Sequence, residues 1–347
     1  MRHSDPNAAR NYKLDLLRFI CACLVIMIHI SFAEHDAVNP LTRIAVPIFF
    51  MISGYFYSSV KARNGEQRQI KKIALLTALG TLLHFTVYAI IELFGGNSLL
   101  GRLGQNFTLK SAIELLFFNV VPFSAPLWYL LALLYVLIFV WLFEKLLPRK
   151  YLYCAIPILL LCNLCLGAYA IPLLGHAPDL FLSRNFLFAG LPFFLLGDYL
   201  FTHKDNIRIP NVWLILFAVY AAVTSYCERY VLALFGMCEH EDLYVGTVLM
   251  SLAVFLIAVN PGKSQPKPWV IKLSTWARQL SLPMYLSHTL INSLLYAIVV
   301  GLSLPSLSVF YAKNPIYAVL PVTVAMATVW VLLKTAVAKR LPQKRAA

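Results

Sequence analysis

Charged residues are scarce in this chain of 347 residues. Asp, Glu, Lys and Arg make up 13% of the sequence and hydrophobic residues 60%, whereas about 25% of a typical soluble domain is charged. The mean hydropathy is +0.74. This composition excludes an ordinary soluble domain and predicts an integral membrane protein.

We expect no cleavable leader at the N-terminus, and the cysteines show no pattern suited to zinc. The first 13 residues, MRHSDPNAARNYK, are polar, and no small-residue cleavage site closes the apolar run that follows. We therefore expect the first span to remain in the mature protein. The seven cysteines mostly lie inside apolar runs and match no zinc spacing, so they are expected to be packing residues and no metal is implied.

Long apolar runs recur along the whole chain, and each can cross a bilayer as a helix of about 20 residues. They predict an all-α fold, a polytopic bundle of about ten transmembrane helices in a single domain, 1–347. The linkers 61–72 and 260–279 are polar, and the run LKSAIELLFFNV within 95–125 suits a short interfacial or re-entrant helix. The predicted spans lie near 13–33, 41–60, 73–94, 126–146, 152–171, 185–203, 211–234, 243–259, 281–301 and 315–337.

Acidic residues are the scarcer charge: 15 acids stand against 29 bases, for a net charge of +14. With ten spans both termini share one side, and that side carries 22 of the 29 Lys and Arg residues. Excess Lys and Arg mark cytoplasmic loops, so both termini are predicted to be cytoplasmic. The basic residues serve as a topology signal, and without a soluble basic face no nucleic acid partner is expected.

The first span carries polar residues on one face. Arg18 and His29 are eleven residues apart, which places them about 20° apart around a helix and about 16 Å apart along it. Asp15 and the small Ala22 belong to the same stripe. Charged residues inside a membrane usually face the bundle interior or a water-filled cavity. Alternatively, Arg18 snorkels or pairs with Asp15, and His29 is a hydrogen-bonded core residue.

Two further segments carry polar residues that are candidates for the site. Arg43 begins the second span, where it is either a site residue or an interfacial anchor. Ser281, Tyr285 and His288 in RQLSLPMYLSHTLI share one face of the ninth span. They are candidate substrate-binding residues, or alternatively a structural ladder of hydrogen bonds.

Three more candidates stand near predicted span ends. Tyr129, in PLWYLLALLYV, suits an aromatic belt at the interface, and Arg184 and Asn185 are predicted to lie outside. Asp198 is expected towards the inner end of its span. His84, in the middle of the third span, is more simply explained as a structural residue.

Five blocks resemble the bacterial membrane acyltransferase-3 family. LDLLRFICACLVIMIHI resembles the signature of its first span and RIAVPIFFMISGYF that of its second. LWYLLALLY, RNFLFAGLPFFLLG and LSLPMYLSH resemble later blocks in the same order. The resemblance covers about residues 13–335. The membrane half of vancomycin-resistance serine racemases belongs to the same broad group and is also similar to this chain. That half is usually discussed as an amino-acid uptake module.

The resemblance implies a membrane O-acyltransferase of the bacterial cell membrane. Members move acyl groups, commonly acetyl from acetyl-CoA, onto hydroxyls of surface polysaccharides and related envelope molecules. The expected partners are therefore an acyl-CoA donor, an extracytoplasmic glycan or lipid-linked sugar acceptor, and membrane lipids, with no permanently bound cofactor. A secondary transporter of a small polar solute, such as an amino acid, is the alternative.

The physical pattern and the resemblance together assign roles to the candidate residues. His29, Arg18 and Arg43 are the predicted catalytic residues: His29 as general base or transient acyl carrier, Arg18 towards the donor, and Arg43 towards an acceptor or thioester oxygen. The predicted substrate-binding residues are Asp15, Tyr129, Arg184, Asn185, Ser281, Tyr285 and His288.

Overall fold

The computed structural model describes residues 11–96, 98–239, 242–260, 266–301 and 305–340, which contain helices and no β-strand. The α-helices are α1 (Tyr12–His29), α2 (His35–Thr42), α3 (Ala45–Lys61), α4 (Glu66–Phe94), α5 (Leu99–Asn106), α6 (Leu109–Phe118), α7 (Trp128–Phe143), α8 (Lys150–Tyr153), α9 (Ile156–Leu166), α10 (Ala170–Leu174), α11 (Leu191–Thr202), α12 (Asn211–Leu234), α13 (Val245–Val259), α14 (Pro268–Gly301), α15 (Pro305–Lys313) and α16 (Ile316–Arg340). Short 3₁₀ turns span Ala125–Leu127 and Leu180–Leu182, and a π-helix spans Phe186–Gly190.

Six helical segments of the described chain are long and apolar enough to cross a membrane, which confirms a membrane helical protein. They are His35–Lys61, Glu66–Phe94, Ala125–Phe143, Asn211–Leu234, Pro268–Gly301 and Ile316–Ala338. Three shorter apolar segments coincide with predicted spans: Lys150–Leu166, Phe186–Thr202 and Val245–Val259. The first predicted span corresponds to α1, which has 18 residues and carries Lys13, Asp15 and Arg18. The count of ten spans stays a prediction.

The linker predicted over 260–279 is helical in its second half, because α14 begins at Pro268 and continues to Gly301. Proline suits the first position of a helix, since the amide hydrogen that it lacks would have no helical partner there. Pro283 lies inside α14 without ending it, as transmembrane helices tolerate. The predicted ninth span is therefore the second part of a 34-residue helix.

The short helix predicted within 95–125 is present, and a second one precedes it. Ser98 caps the start of α5, because its hydroxyl accepts a hydrogen bond from the amide of Gly101. A capping box between Thr108 and Ser111 starts α6, and Asn119, which adopts a left-handed conformation, follows its last residue. Both helices are far shorter than a span, in keeping with the prediction.

The contacts divide the chain into two units, Met1–Ala37 with Pro261–Ala347, and Val38–Asn260. In the first unit, α14 packs against α1, α15 and α16. The prediction of a single domain over 1–347 stays a prediction.

In the second unit, α3 and α11 approach so closely that their backbones are in contact. A Cβ atom on Gly54 would stand 1.8 Å from the carbonyl oxygen of Phe194, and one on Gly197 would stand 2.0 Å from that of Met51. Small residues permit such contacts between membrane helices.

We expect both termini to be cytoplasmic, and labelling of introduced cysteines tests this prediction. Ala62→Cys follows α3 and Gln105→Cys lies on α5, and both positions are exposed in the described structure. In a cysteine-free background, a membrane-impermeant maleimide added to intact cells should label Gln105→Cys and leave Ala62→Cys unmodified. Both should react in permeabilised cells. The reverse pattern in intact cells would overturn the orientation.

Candidate active site

The N-terminal half of α1 brings Asp15 and Arg18 together. The side-chain oxygen of Asn11 caps this helix by accepting from the amides of Lys13 and Leu14 at 3.0 and 3.2 Å. One guanidinium nitrogen of Arg18 lies 3.8 Å from a carboxylate oxygen of Asp15. Asp15 is buried, and the Arg18 side chain is 28% exposed. The Asp15–Arg18 pairing considered from the sequence is therefore present, and it leaves part of the guanidinium accessible.

His29 is the last residue of α1, and the chain is held in place directly after it. The amide of Ile30 donates to the carbonyl of Ile26 at 2.9 Å, which closes the last helical turn. Three residues later, the amide of Ala33 donates to the side-chain oxygen of Asn314, between α15 and α16, at 3.0 Å. The backbone that carries His29 is thus fixed on both sides.

The other helix of the candidate site is α14, which packs against α1. Ser281, Tyr285 and His288 lie on one face and are all buried, as their spacing predicted. Nδ1 of His288 lies 2.8 Å from the carbonyl oxygen of Tyr285 and 3.3 Å from that of Met284. The Ser281 hydroxyl donates to the carbonyl of Arg278 at 3.3 Å. A structural ladder along this face is therefore present, and the substrate-binding roles stay predictions.

The imidazoles of His29 and His288 meet where α1 packs against α14. Their ring centroids are 5.4 Å apart and their planes are inclined by 37°, and the ring of Tyr285 lies 6.4 Å from that of His288. The first unit therefore combines an accessible guanidinium with two neighbouring imidazoles, groups suited to anion binding and proton transfer.

Arg43 and Tyr129 lie in the second unit. Nε of Arg43 donates to the side-chain oxygen of Asn39 at 2.8 Å, which orients the guanidinium two residues before the start of α3. Tyr129 is buried, and its ring packs edge-on against Phe50 with centroids 4.7 Å apart. Tyr129 is therefore a packing residue in this unit, and the functional roles of both residues stay predictions.

Arg184 and Asn185 have clear structural contacts. A guanidinium nitrogen of Arg184 lies 3.3 Å from a carboxylate oxygen of Asp242. The Asn185 side chain accepts from the amides of Leu187 and Phe188 at 2.9 and 3.0 Å, and so caps the π-helix. These contacts explain both residues without a ligand, and their substrate-binding roles stay predictions.

An ionic network around the buried Asp198 in the second unit was not predicted from the sequence. Arg149 lies 2.9 Å from Asp198, which is fully buried, and its Nε lies 3.2 Å from Glu144. Lys61 lies 2.9 Å from Glu144. Asp198 also accepts from the hydroxyls of Ser58 and Tyr153 at 2.7 and 2.6 Å. The negative charges of the two carboxylates are matched by the positive charges of the two cations. We therefore interpret the network as structural and not as a ligand-binding site.

A second unpredicted pair involves His84. Its Nδ1 lies 2.7 Å from the hydroxyl oxygen of Ser124, and both residues are buried. This bond supports the structural interpretation of His84. The two residues are 40 positions apart, so no local sequence signal could have paired them.

Metal ligands do not cluster in the part of the chain that the structure describes: no three His, Cys, Asp or Glu residues there are placed to hold an ion. The chemistry available to the described site thus comes from its imidazoles, its guanidinium and its hydroxyls. The expectation of a metal-free site stays a prediction.

The sequence matches the family model described as an acyltransferase domain over residues 11–335. Two curated relatives are amino-acid racemases of Enterococcus faecalis. One is 26% identical over 67% of this chain and 33% of its own length, and the other is 26% identical over 82% of this chain and 41% of its own length. This chain thus spans less than half the length of either relative, and no solved structure matches it. Because the family model covers nearly all of the sequence, the chain belongs to the acyltransferase domain family.

Proposed function

We propose that this protein is a membrane O-acyltransferase that uses a cytoplasmic acyl-CoA, with acetyl-CoA as the favoured donor. The acceptor is a hydroxyl of a cell-envelope polysaccharide or related extracytoplasmic molecule. The observation that carries the proposal is the pair of neighbouring imidazoles, His29 and His288, in the same unit as Arg18. Acyl transfer to a hydroxyl needs a group that takes up a proton and a group that holds an anionic donor, and these residues supply both.

Arg18 is the proposed donor-binding residue. Coenzyme A carries phosphates, and a guanidinium binds phosphate through a fork of parallel hydrogen bonds. A carboxylate oxygen of Asp15 lies 3.8 Å from a guanidinium nitrogen of Arg18, and the Arg18 side chain remains partly exposed. The positive loops predicted on the cytoplasmic side would also attract the donor.

His29 is the proposed general base. The acceptor oxygen attacks the thioester carbonyl carbon while His29 takes the hydroxyl proton. The carbon–sulfur bond then breaks, the ester remains on the acceptor, and the proton passes from His29 to the thiolate of coenzyme A. A covalent acyl-histidine is the alternative route. Arg43 is proposed to orient an acceptor or thioester oxygen.

Racemisation is not proposed for this chain. The curated relatives carry that name, but the shared segment covers only 33% and 41% of their lengths. Their similarity therefore supports a related membrane segment and does not supply the activity of the whole proteins.

Proteoliposomes test whether donor and acceptor meet from opposite sides. With the predicted cytoplasmic side outward, the protein should release free coenzyme A from external acetyl-CoA when the acceptor glycan is enclosed in the lumen. Release should stay at background when the same glycan is supplied only outside. A thiol reagent in the external buffer measures the product continuously.

The same vesicles separate an enzyme from a transporter. A transporter would accumulate its solute, such as a labelled amino acid, without consuming thioester. Binding of labelled acetyl-CoA to purified protein needs no acceptor, and Arg18→Ala should weaken it. Lys13→Ala is the matched control, because it removes an exposed cation from the same helix about 140° from Arg18. If no acyl-CoA shows saturable binding that depends on Arg18, the enzymatic proposal fails.

A further inference from the structure

The bonding of His288 fixes which of its ring nitrogens carries the proton. Nδ1 lies 2.8 Å from the carbonyl oxygen of Tyr285 and 3.3 Å from that of Met284. A carbonyl oxygen can only accept a hydrogen bond, so Nδ1 must be the donor. A neutral imidazole has one protonated nitrogen and one acceptor nitrogen. In the neutral ring of His288, Nε2 is therefore the acceptor.

The two histidine rings lie close together, and although no hydrogen bond reaches Nε2 of His288 in the described structure, a small rotation of the rings would allow one from His29. Two imidazoles joined by an N–H···N bond of about 3 Å have centroids about 5 Å apart, and those of His29 and His288 are 5.4 Å apart. His288 is fully buried on the face of α14 that packs against α1. The anchoring of Ala33 to Asn314 restrains the chain that follows His29. Both rings are therefore held by rigid elements.

We propose that His288 is the positioning residue of His29, an inference that rests on the proposed acyltransferase function. A small rotation of the rings brings the N–H of His29 onto Nε2 of His288. This bond leaves the other nitrogen of His29 deprotonated and available to the acceptor hydroxyl. When His29 takes the hydroxyl proton, its N–H bond to His288 stabilises the imidazolium. The proton then leaves with the coenzyme A thiol, and both histidines return to their starting tautomers.

A purely structural His288 would need only its Nδ1–H, which ties the side chain to the carbonyls of its own helix. The two roles can be separated, because asparagine and glutamine imitate different halves of imidazole. In His288→Asn, the side-chain amide can replace the Nδ1–H donor but leaves no acceptor at the position of Nε2. In His288→Gln, the longer side chain can bring its carbonyl oxygen to that position and accept from His29.

We expect His288→Asn to melt at the wild-type temperature and to bind acetyl-CoA with unchanged Kd, while its kcat falls about tenfold or more. His288→Gln should keep several times more kcat than His288→Asn. The opposite order, with an active asparagine variant and an inactive glutamine variant, would reduce His288 to a helix-bonding residue. Wild-type kcat in both variants would also overturn the inference.

The tautomer of His29 gives a readout that does not require activity. In protein labelled with ¹⁵N-histidine, the ring shifts of His29 should report a single tautomer in the wild type and a mixture in His288→Asn. Substitution of each of the eight histidines in turn assigns the signals. An unchanged His29 tautomer in His288→Asn rejects the positioning role even if the enzyme assay fails. A tautomer shift in a protein that transfers no acyl group would instead reject only the proposed function.

Discussion

His29→Gln is expected to lower acyl transfer by about 10²- to 10⁴-fold, the range that a general base contributes. The amide of glutamine can form a hydrogen bond near the position of the ring but cannot take up the proton of the acceptor hydroxyl. Binding of acetyl-CoA should stay close to the wild-type level, because the base acts on the acceptor rather than on the donor. Release of coenzyme A under saturating donor measures the loss.

His35→Gln is the matched control for this substitution. His35 begins the next helix, and its Nδ1 lies 3.5 Å from Asp36, so the variant removes a nearby imidazole that has no proposed role in the reaction. It should retain wild-type turnover. A His29→Gln protein that melts normally and turns over at the wild-type rate would make His29 a structural residue.

Arg18→Lys is expected to weaken acyl-CoA binding about 10- to 100-fold. Lysine keeps the positive charge beside Asp15 but cannot form the parallel bonds of a guanidinium. A lost hydrogen bond to a charged group costs about 1.5–3 kcal/mol, and every 1.4 kcal/mol corresponds to about a tenfold change in Kd. Equilibrium binding of labelled acetyl-CoA to purified protein gives the Kd directly.

Arg102→Lys is the control for a general loss of guanidinium. Arg102 lies on α5, on the predicted outer side, where its Nε is 3.4 Å from Glu92, and its replacement should leave Kd unchanged. If Arg18 only reaches the headgroups or pairs with Asp15, lysine will substitute freely and Arg18→Lys will bind like the wild type. That result would remove Arg18 from the donor site.

Much of the helical architecture could be predicted from the sequence because a bilayer makes span length and hydropathy visible locally. Asn211–Leu234 coincides with its predicted span, and Glu66–Phe94 ends where its predicted span, 73–94, ends. The start of α14 was predicted too late, because its first turns are polar and resemble a linker. A helix can extend beyond the apolar layer without any change in its hydrogen bonding, so hydropathy alone could not reveal that extension.

The candidate site was predictable wherever it depends on a single helix. The stripe of Asp15, Arg18 and His29 and the face of Ser281, Tyr285 and His288 follow from the helical period alone. The sequence could not reveal the tautomer of His288 or the network around Asp198, because those depend on individual distances. It also indicated nothing about the bond between Ser124 and His84.

By itself, the sequence determined a helical membrane protein, its family and the polar faces of α1 and α14. These features follow from composition, periodicity and short motifs, which act within one segment of chain. Only the tertiary structure decided that His29 meets His288, residues separated by 259 positions in the chain. The packing of α1 against α14 creates that contact, and a long-range contact of this kind leaves no local pattern in a single sequence.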